Sequence, residues 1–100
     1  GYIPPIPTVD TTPPVVQFQS PNNGQVIKGG SVPISVSATD NVAVAKIEAY
    51  LDGSLVWVAS GPVLKDRWKV GGFRGVHTLV ATATDTSGNM SSTAIQVTVK

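Results

Sequence analysis

Three of the aspartates and the single histidine are the residues of this chain best placed to do chemistry. Asp40 and Asp85 each close an Ala-Thr-Asp triplet, in "SATDN" and "ATATDTSGN". Each ends a run in which apolar and polar residues alternate, and each opens a turn of Asn, Ser or Gly. Asp10 precedes the first such run, and Asn41 and Asn89 follow the two triplets closely. Carboxylates and amides on loops with free carbonyls are the hard oxygen donors that calcium takes. The same side chains also end strands with no ion involved, because Asp and Asn accept hydrogen bonds from the backbone amides that follow them. Both readings stand for Asp10, Asp40, Asn41, Asp85 and Asn89.

His77 is a poor catalytic candidate. A nucleophile with a base, or a carboxylate pair, would have to be held beside it, and zinc would need further nitrogen or sulfur ligands. The chain has no cysteine to supply them. Gly29-Gly30 and Gly71-Gly72 fall in turns and make no phosphate loop. Asp66, Arg67 and Lys69 surround Trp68 and read as a solvated strand face. Asn89-Met90-Ser91 fits a glycosylation acceptor pattern but reads as turn sequence. The chain is not expected to be an enzyme.

These residues need a scaffold, and the bulk properties bound it. One hundred residues suffice for one domain with one core, without disulfide staples. The net charge is +1, only 13% of residues are charged, and no basic run exists. A nucleic-acid partner is excluded on those grounds, since phosphate neutralisation needs clustered Lys and Arg. No apolar stretch approaches the ~20 residues of a membrane-spanning helix. With neither a leader nor an initiating Met, the chain reads as a piece of a longer protein. Its first 14 residues hold five prolines. Residues 1–12 are therefore assigned to a Pro-rich, semi-rigid linker and residues 13–100 to the domain.

Within the domain no segment keeps a helical period, and the breaks fall at Gly, Asn, Asp and Pro. Short strands are expected at Val15–Gln19, Ser31–Thr39, Val44–Leu51, Ser54–Ser60, about Arg67–Val70, Val76–Thr84 and Ala94–Val99. Asp52-Gly53 is a strong two-residue hairpin signal. Inward positions by parity are Val32, Ile34, Val36 and Ala38, then Ala45, Ile47, Ala49 and Leu51, then His77, Leu79, Ala81 and Ala83, then Ile95, Val97 and Val99. Pro33 gives no ladder donor, so its strand must be exposed or bulged there. About seven strands with one apolar face each predict two antiparallel sheets packed face to face.

The blocks "ATDNVAVAKIEAYLDG" and "GVHTLVATATDTSGN", in this order and with Trp68 between them, resemble the bacterial immunoglobulin-like domains of secreted multidomain proteins. Such domains accompany chitinases, other glycoside hydrolases, polysaccharide lyases and peptidases. The resemblance covers about Pro13 to Lys100. It departs from the family in "GPVLKDRWKVGGFRG", which lacks the aromatic pair usual before the Trp and the Trp-Asp usual after it. The resemblance implies an all-β, immunoglobulin-like two-sheet antiparallel β-sandwich. It implies a non-catalytic accessory module of a secreted or cell-surface bacterial protein. Such a module spaces or stabilises a neighbouring domain of the same polypeptide and is monomeric when isolated. It also makes Trp68 a core residue and His77 the polar ring that anchors a loop at a strand corner.

In such a sandwich Asp10, Asp40, Asn41, Asp85 and Asn89 gather at one pole, beside the incoming linker. A calcium ion there would stiffen the joint with a preceding domain, and no other cofactor is implied. A second surface follows from the Asp52-Gly53 turn. Unbroken pairing sets Tyr50 against Leu55, Ala49 against Val56 and Glu48 against Trp57. Val56 and Val58 then face the core, and Glu48, Tyr50, Leu55 and Trp57 face out. An exposed Tyr50–Trp57 pair beside a carboxylate suits a sugar ring or a docking domain, so a carbohydrate-binding module on polysaccharide is one alternative. An adhesion module of a surface protein is another.

Overall fold

The computed structural model describes residues 10–100. Residues 1–9, which the expected Pro-rich linker includes, lie outside the described residues. Eight strands follow in order: β1 Val15–Ser20, β2 Val26–Ile27, β3 Ser31–Thr39, β4 Val44–Leu51, β5 Ser54–Ser60, β6 Val63–Lys69, β7 Gly75–Asp85 and β8 Met90–Val99. One sheet has the order β1-β3-β6 and the other β2-β8-β7-β4-β5. All pairings are antiparallel except that of β2 with β8. The two packed sheets expected from the alternating runs, and the immunoglobulin-like sandwich that the resemblance implies, are the fold that forms. Among the described residues no helix is long and apolar enough to cross a membrane.

The period-2 pattern does the positioning. Val32, Ile34, Val36 and Ala38 of β3 are all buried, as are Leu79, Ala81 and Ala83 of β7 and Val97 and Val99 of β8. Leu64 and Trp68 complete the core from β6. Asp66 shares their parity but is exposed, and charges surround it at Lys65, Arg67 and Lys69. This charged mixture hid the first half of β6 from the sequence pattern. The strand starts at Val63, not near Arg67. The two-residue β2 is too short to show a period. It exists because β8 offers it backbone partners at Thr98 and Val99. Pro33 sits where β1 no longer pairs: the β1 ladder ends at Ser35, and the Ser20 hydroxyl donates to the Pro33 carbonyl at 2.8 Å.

Two register shifts overturn inward assignments. Between Val44 and Lys46 the β4–β7 ladder skips a residue, so Ala45 is exposed instead of buried. Between Ala49 and Tyr50 the β4–β5 ladder shifts as well. Tyr50 still pairs with Leu55, but Ala49 pairs with Trp57 and Glu48 with Val58, leaving Val56 as the extra residue. Trp57 is therefore 6% exposed and belongs to the core, while Val56 and Val58 are 49% and 61% exposed.

The physical reason lies on the inner face. Trp57 stands in a cross-strand row with Ala49 and Ala81, and the next row holds Ala83 beside Ile47. Small side chains on the central strands leave depth that a large edge residue fills, and close packing favours the indole there over a valine. Truncating Trp57 should leave a cavity. We expect Trp57→Ala to cost about 3–5 kcal/mol in urea-induced unfolding, against less than ~0.5 kcal/mol for an exposed-site change such as Val76→Thr. Equal midpoints for the two variants would contradict a buried Trp57.

Candidate functional site

The pole where β3 and β7 end and β4 and β8 begin collects the carboxylates. Asp10, Asp40 and Asp85 each bring one oxygen within 4.8 Å of the others. Asp85, the last residue of β7, is 1% exposed. Its Oδ1 accepts hydrogen bonds from the Ser87 amide at 2.9 Å and the Asn89 amide at 2.8 Å, and its Oδ2 accepts from Asn89 Nδ2 at 3.0 Å. Gly88, at φ +91°, supplies the left-handed step that folds this loop back onto Asp85. The Thr86 amide donates to the Ala43 carbonyl at 3.1 Å and ties the loop to the β3–β4 connection.

Asp40 Oδ2 accepts from the Val42 amide at 3.1 Å, and Asp10 Oδ1 from the Thr12 amide at 3.0 Å. These are the local turn bonds expected of Asp at a strand end. Asp10 Oδ2, in contrast, is buried with no hydrogen-bond partner. Asn41 completes the group. With its nitrogen toward the carboxylates it donates to Asp10 Oδ1 at 3.1 Å and Asp40 Oδ1 at 3.3 Å. Turned over, the same amide presents its oxygen to them. Asn89 acts as a holder: its Nδ2 donates to the Asp10 carbonyl at 2.7 Å as well as to Asp85.

The electrostatics separate the two nearest acids. Burial raises the Asp10 pKa, and the Asp85 side chain and the charge of Asp40 push the same way against the Thr12 amide. Burial acts to raise Asp85 too, but the Asn89 side chain and amide, then Asp10 and the Ser87 amide, outweigh it and hold Asp85 below the ordinary range. Of the two, Asp10 is the one whose carboxyl holds a proton more readily. The residues gathered here could hold a divalent cation through hard oxygen atoms: the carboxylates of Asp10, Asp40 and Asp85, with Asp10 Oδ2 buried and unpartnered, and the Asn41 amide oxygen when it is turned toward them.

Sequence parity missed the grip on the incoming chain. The Ser91 hydroxyl donates to the Pro14 carbonyl, two residues along from the Asn89 that bonds the Asp10 carbonyl. Two side chains at the start of β8 thereby fasten the segment that precedes β1. Nothing in the local pattern of "NMSS" marks these partners, which lie 77 and 79 residues away.

His77 occupies the opposite pole. Its Nδ1 lies 2.6 Å from Asp52 Oδ2 and its Nε2 2.9 Å from the Arg74 carbonyl. Asp52 Oδ1 also accepts from the Thr78 amide at 2.9 Å. The ring meets Trp68 and Phe73 edge-to-face, with centroids at 5.9 and 5.4 Å. This is the loop-anchoring corner expected of His77, and Trp68 is 4% exposed, the core residue expected of it. Asp52 was legible only as a turn residue. Its second role follows from the register, which sets Leu51 against Leu79 and brings the turn beside Thr78.

The lateral aromatic surface does not form. Glu48 and Tyr50 are half-buried on the outer face and Leu55 is exposed, but Trp57 points inward. Tyr50 therefore has Leu55 and Val80 as row neighbours in place of a second aromatic ring. Glu48 is held by Lys46 at 3.3 Å.

A family model described as a bacterial Ig domain matches residues 14–98. Among solved structures, the chain is similar to a fibronectin(III)-like module of CbhA from Clostridium thermocellum. The two share 20% identity with a TM-score of 0.72, over 86% of this chain and 97% of that one. It is also similar to the CARDB domain of the PF1109 protein from Pyrococcus furiosus, solved in complex with di-metal ions. There the identity is 17% and the TM-score 0.58, over 87% of each chain. An engineered protein matches at 22% identity and a TM-score of 0.59, over 87% of this chain and 20% of that one. No curated protein sequence matches the chain.

The histidine corner gives a pH prediction. The bond to Asp52, aided by the Arg74 carbonyl, raises the His77 pKa against a smaller effect of burial, and the bonds from His77 and Thr78 lower that of Asp52. A raised histidine stabilises fully below its unfolded value of about 6.5, and that stability is lost as pH climbs through the folded value. A lowered aspartate stabilises above about 3.9, and that stability is lost as pH falls through its folded value. The pair contributes most between about pH 4 and pH 6.5. We expect the urea midpoint to fall between about pH 5.5 and pH 9 in the unsubstituted chain, and the fall to shrink in Asp52→Asn, which keeps the turn. A fall of the same size in both would remove the pair as its cause.

Proposed function

The chain belongs to the bacterial Ig domain family, and on that premise we propose that it is a non-catalytic accessory module of a secreted or cell-surface protein, a spacer that fixes the direction of the chain leading into it. The observation that carries this reading is the seating of the incoming segment. Asp10 and Pro14, ahead of β1, are gripped by Asn89 and Ser91 at the start of β8. The chain then leaves along β8, whose ten residues run from the Asp85 pole to the far one, a span of roughly 33 Å. Entry at one pole and exit at the other is the geometry of a spacer. The groups with catalytic chemistry are spent on anchoring: His77 on Asp52 and the Arg74 carbonyl, Asp85 on its own loop. A polysaccharide-degrading domain is the neighbour that the family resemblance favours.

Calcium belongs to the same reading. The ion would neutralise the three facing carboxylates, with Asn41 turned to offer its oxygen. Because Asp10 lies on the entering segment and Asp40 and Asp85 on the sandwich, one ion would bind the two together. Protons compete with the ion for the carboxylates, most of all at Asp10 with its raised pKa, so the affinity should rise with pH across the carboxylate range. Without the ion, the local turn bonds keep the loops formed.

Thermal melting with and without calcium tests this. With a dissociation constant in the 10⁻⁴–10⁻³ M range of extracellular modules, ~10 mM calcium should raise the melting temperature by roughly 7–13 °C. Asp40→Asn should lose most of that rise, and magnesium should give little of it. An unchanged melting temperature removes the ion and leaves the spacer reading to a second measurement. In that one, fluorophores on flanking fusion domains should show one narrow transfer-efficiency distribution, broadened by Asn89→Ala with Ser91→Ala. A broad distribution in the unsubstituted chain counts against the spacer.

A further inference from the structure

The loop that leads into β2 reads PNNGQ, and Asn23-Gly24 is the one step in the chain where an asparagine precedes a glycine. Such a step is prone to an intramolecular reaction. The Gly24 backbone nitrogen attacks Cγ of Asn23, and a new N–C bond closes a succinimide ring. The side-chain amide leaves as ammonia, taking the proton that Gly24 gives up. Water then opens the ring at either carbonyl and leaves aspartate or isoaspartate. Glycine favours the attack because no Cβ crowds its nitrogen. Asn22, Asn41 and Asn89 are followed by Asn23, Val42 and Met90, whose side chains hinder it.

In the folded chain one residue holds both reacting groups. The Gly24 amide donates to the Gln96 carbonyl at 2.6 Å, and Asn23 Oδ1 accepts from the Gln96 amide at 2.9 Å. The Gln25 amide closes the turn on the Asn22 carbonyl at 3.0 Å, and Gln25 Oε1 accepts from the Asn22 amide at 2.9 Å. Gly24 stands third in this turn at φ +83°, the left-handed conformation that selects glycine and so keeps the reactive pair in the sequence. The strap continues along β8, where the Thr98 amide donates to the Gln25 carbonyl and the Lys100 amide to the Ile27 carbonyl. For the Gly24 nitrogen to reach Cγ, it must give up Gln96, and the Asn23 side chain must swing away from the same residue.

We infer that Asn23-Gly24 is a site of spontaneous deamidation gated by the β2 strap, closed while the strap lies on β8 and open when it detaches. The strap forms an edge of the larger sheet through two paired residues, of which Ile27 alone is buried. An edge so lightly held opens locally without unfolding the sandwich. The two products differ in what they leave. Aspartate keeps an oxygen for the Gln96 amide. Isoaspartate adds a methylene to the backbone and moves the carboxylate, so the Gln96 amide loses its acceptor. The reaction thereby makes a transient opening permanent.

Peptide mapping by mass spectrometry after incubation at mildly alkaline pH tests this, with an isoaspartate-specific methyltransferase as a second readout. Unfolded in urea, the chain should convert Asn23 faster than Asn22, Asn41 or Asn89. In the native chain Asn23 should convert at least about tenfold more slowly than in urea, the factor that ~1.4 kcal/mol of local opening sets. Hydrogen exchange at the Gly24 and Gln96 amides should be slowed by a similar factor. Ile27→Ala removes the buried anchor of the strap and should bring conversion back toward the urea rate, with exchange at Leu79 still slow. Ile27→Val replaces it if that chain unfolds. Val58→Thr, at an exposed residue on β5, should convert like the unsubstituted chain. Equal rates in the native and urea-unfolded chain overturn the inference. So does the absence of conversion at Asn23 in urea, or an unchanged rate in an Ile27 variant whose Gln96 amide exchanges faster.

Discussion

The inner face of the larger sheet is lined by alanines where the strands cross the middle of the sandwich, and the packing of the whole domain answers to that. Ala49 and Ala81 are fully buried side by side, with Ala83 in the next row. Small residues there leave space that no neighbour on β4 or β7 can fill. Trp57 enters it from the edge, and the β4–β5 ladder gives up its regular register to allow this. One dislocated residue at Val56 is a small local loss, whereas an unfilled hollow costs roughly 24 cal/mol for each Å³. The balance goes to the indole.

That choice spreads outward. Burying Trp57 removes the aromatic pair that a sugar ring would need and leaves Tyr50 among aliphatic neighbours. It also turns Val58 to solvent on an open edge. The opposite edge in the smaller sheet shows the usual remedy, an inward-parity charge at Asp66 amid a charged run. The β5 edge has only its irregularity at Val56 for protection.

The two poles divide the remaining work. At one, His77, Phe73 and Trp68 meet edge-to-face and Asp52 closes the corner, so polar and aromatic groups serve the same anchor. At the other, Asp85 is almost fully buried yet well supplied with donors, which is the condition for a carboxylate to stay ionised away from water. Asp10 next to it is less well supplied, and its pKa is raised where that of Asp85 is lowered. This asymmetry between two adjacent acids sets the entering segment apart from the sandwich: its carboxyl is the one left with an unpartnered oxygen.

Alternation in β3, β7 and β8 settled the fold class from sequence alone, because a strand buried on one face must repeat its apolar residues every second position. Asp52-Gly53 likewise named its own turn: both residues have positive φ, the conformation that pair favours. The gathering of Asp10, Asp40, Asn41, Asp85 and Asn89 was legible too, since strand ends of one parity in a sandwich share a pole. Tertiary structure alone decided which way β5 faces. Parity propagates from a turn only while the ladder stays regular, and the alanines that break it lie on β4 and β7, outside the strand whose side chains they redirect. The grip of Asn89 and Ser91 on Asp10 and Pro14 belongs to the same class. Its partners are far apart in sequence, and only the closed sandwich brings them within hydrogen-bonding distance.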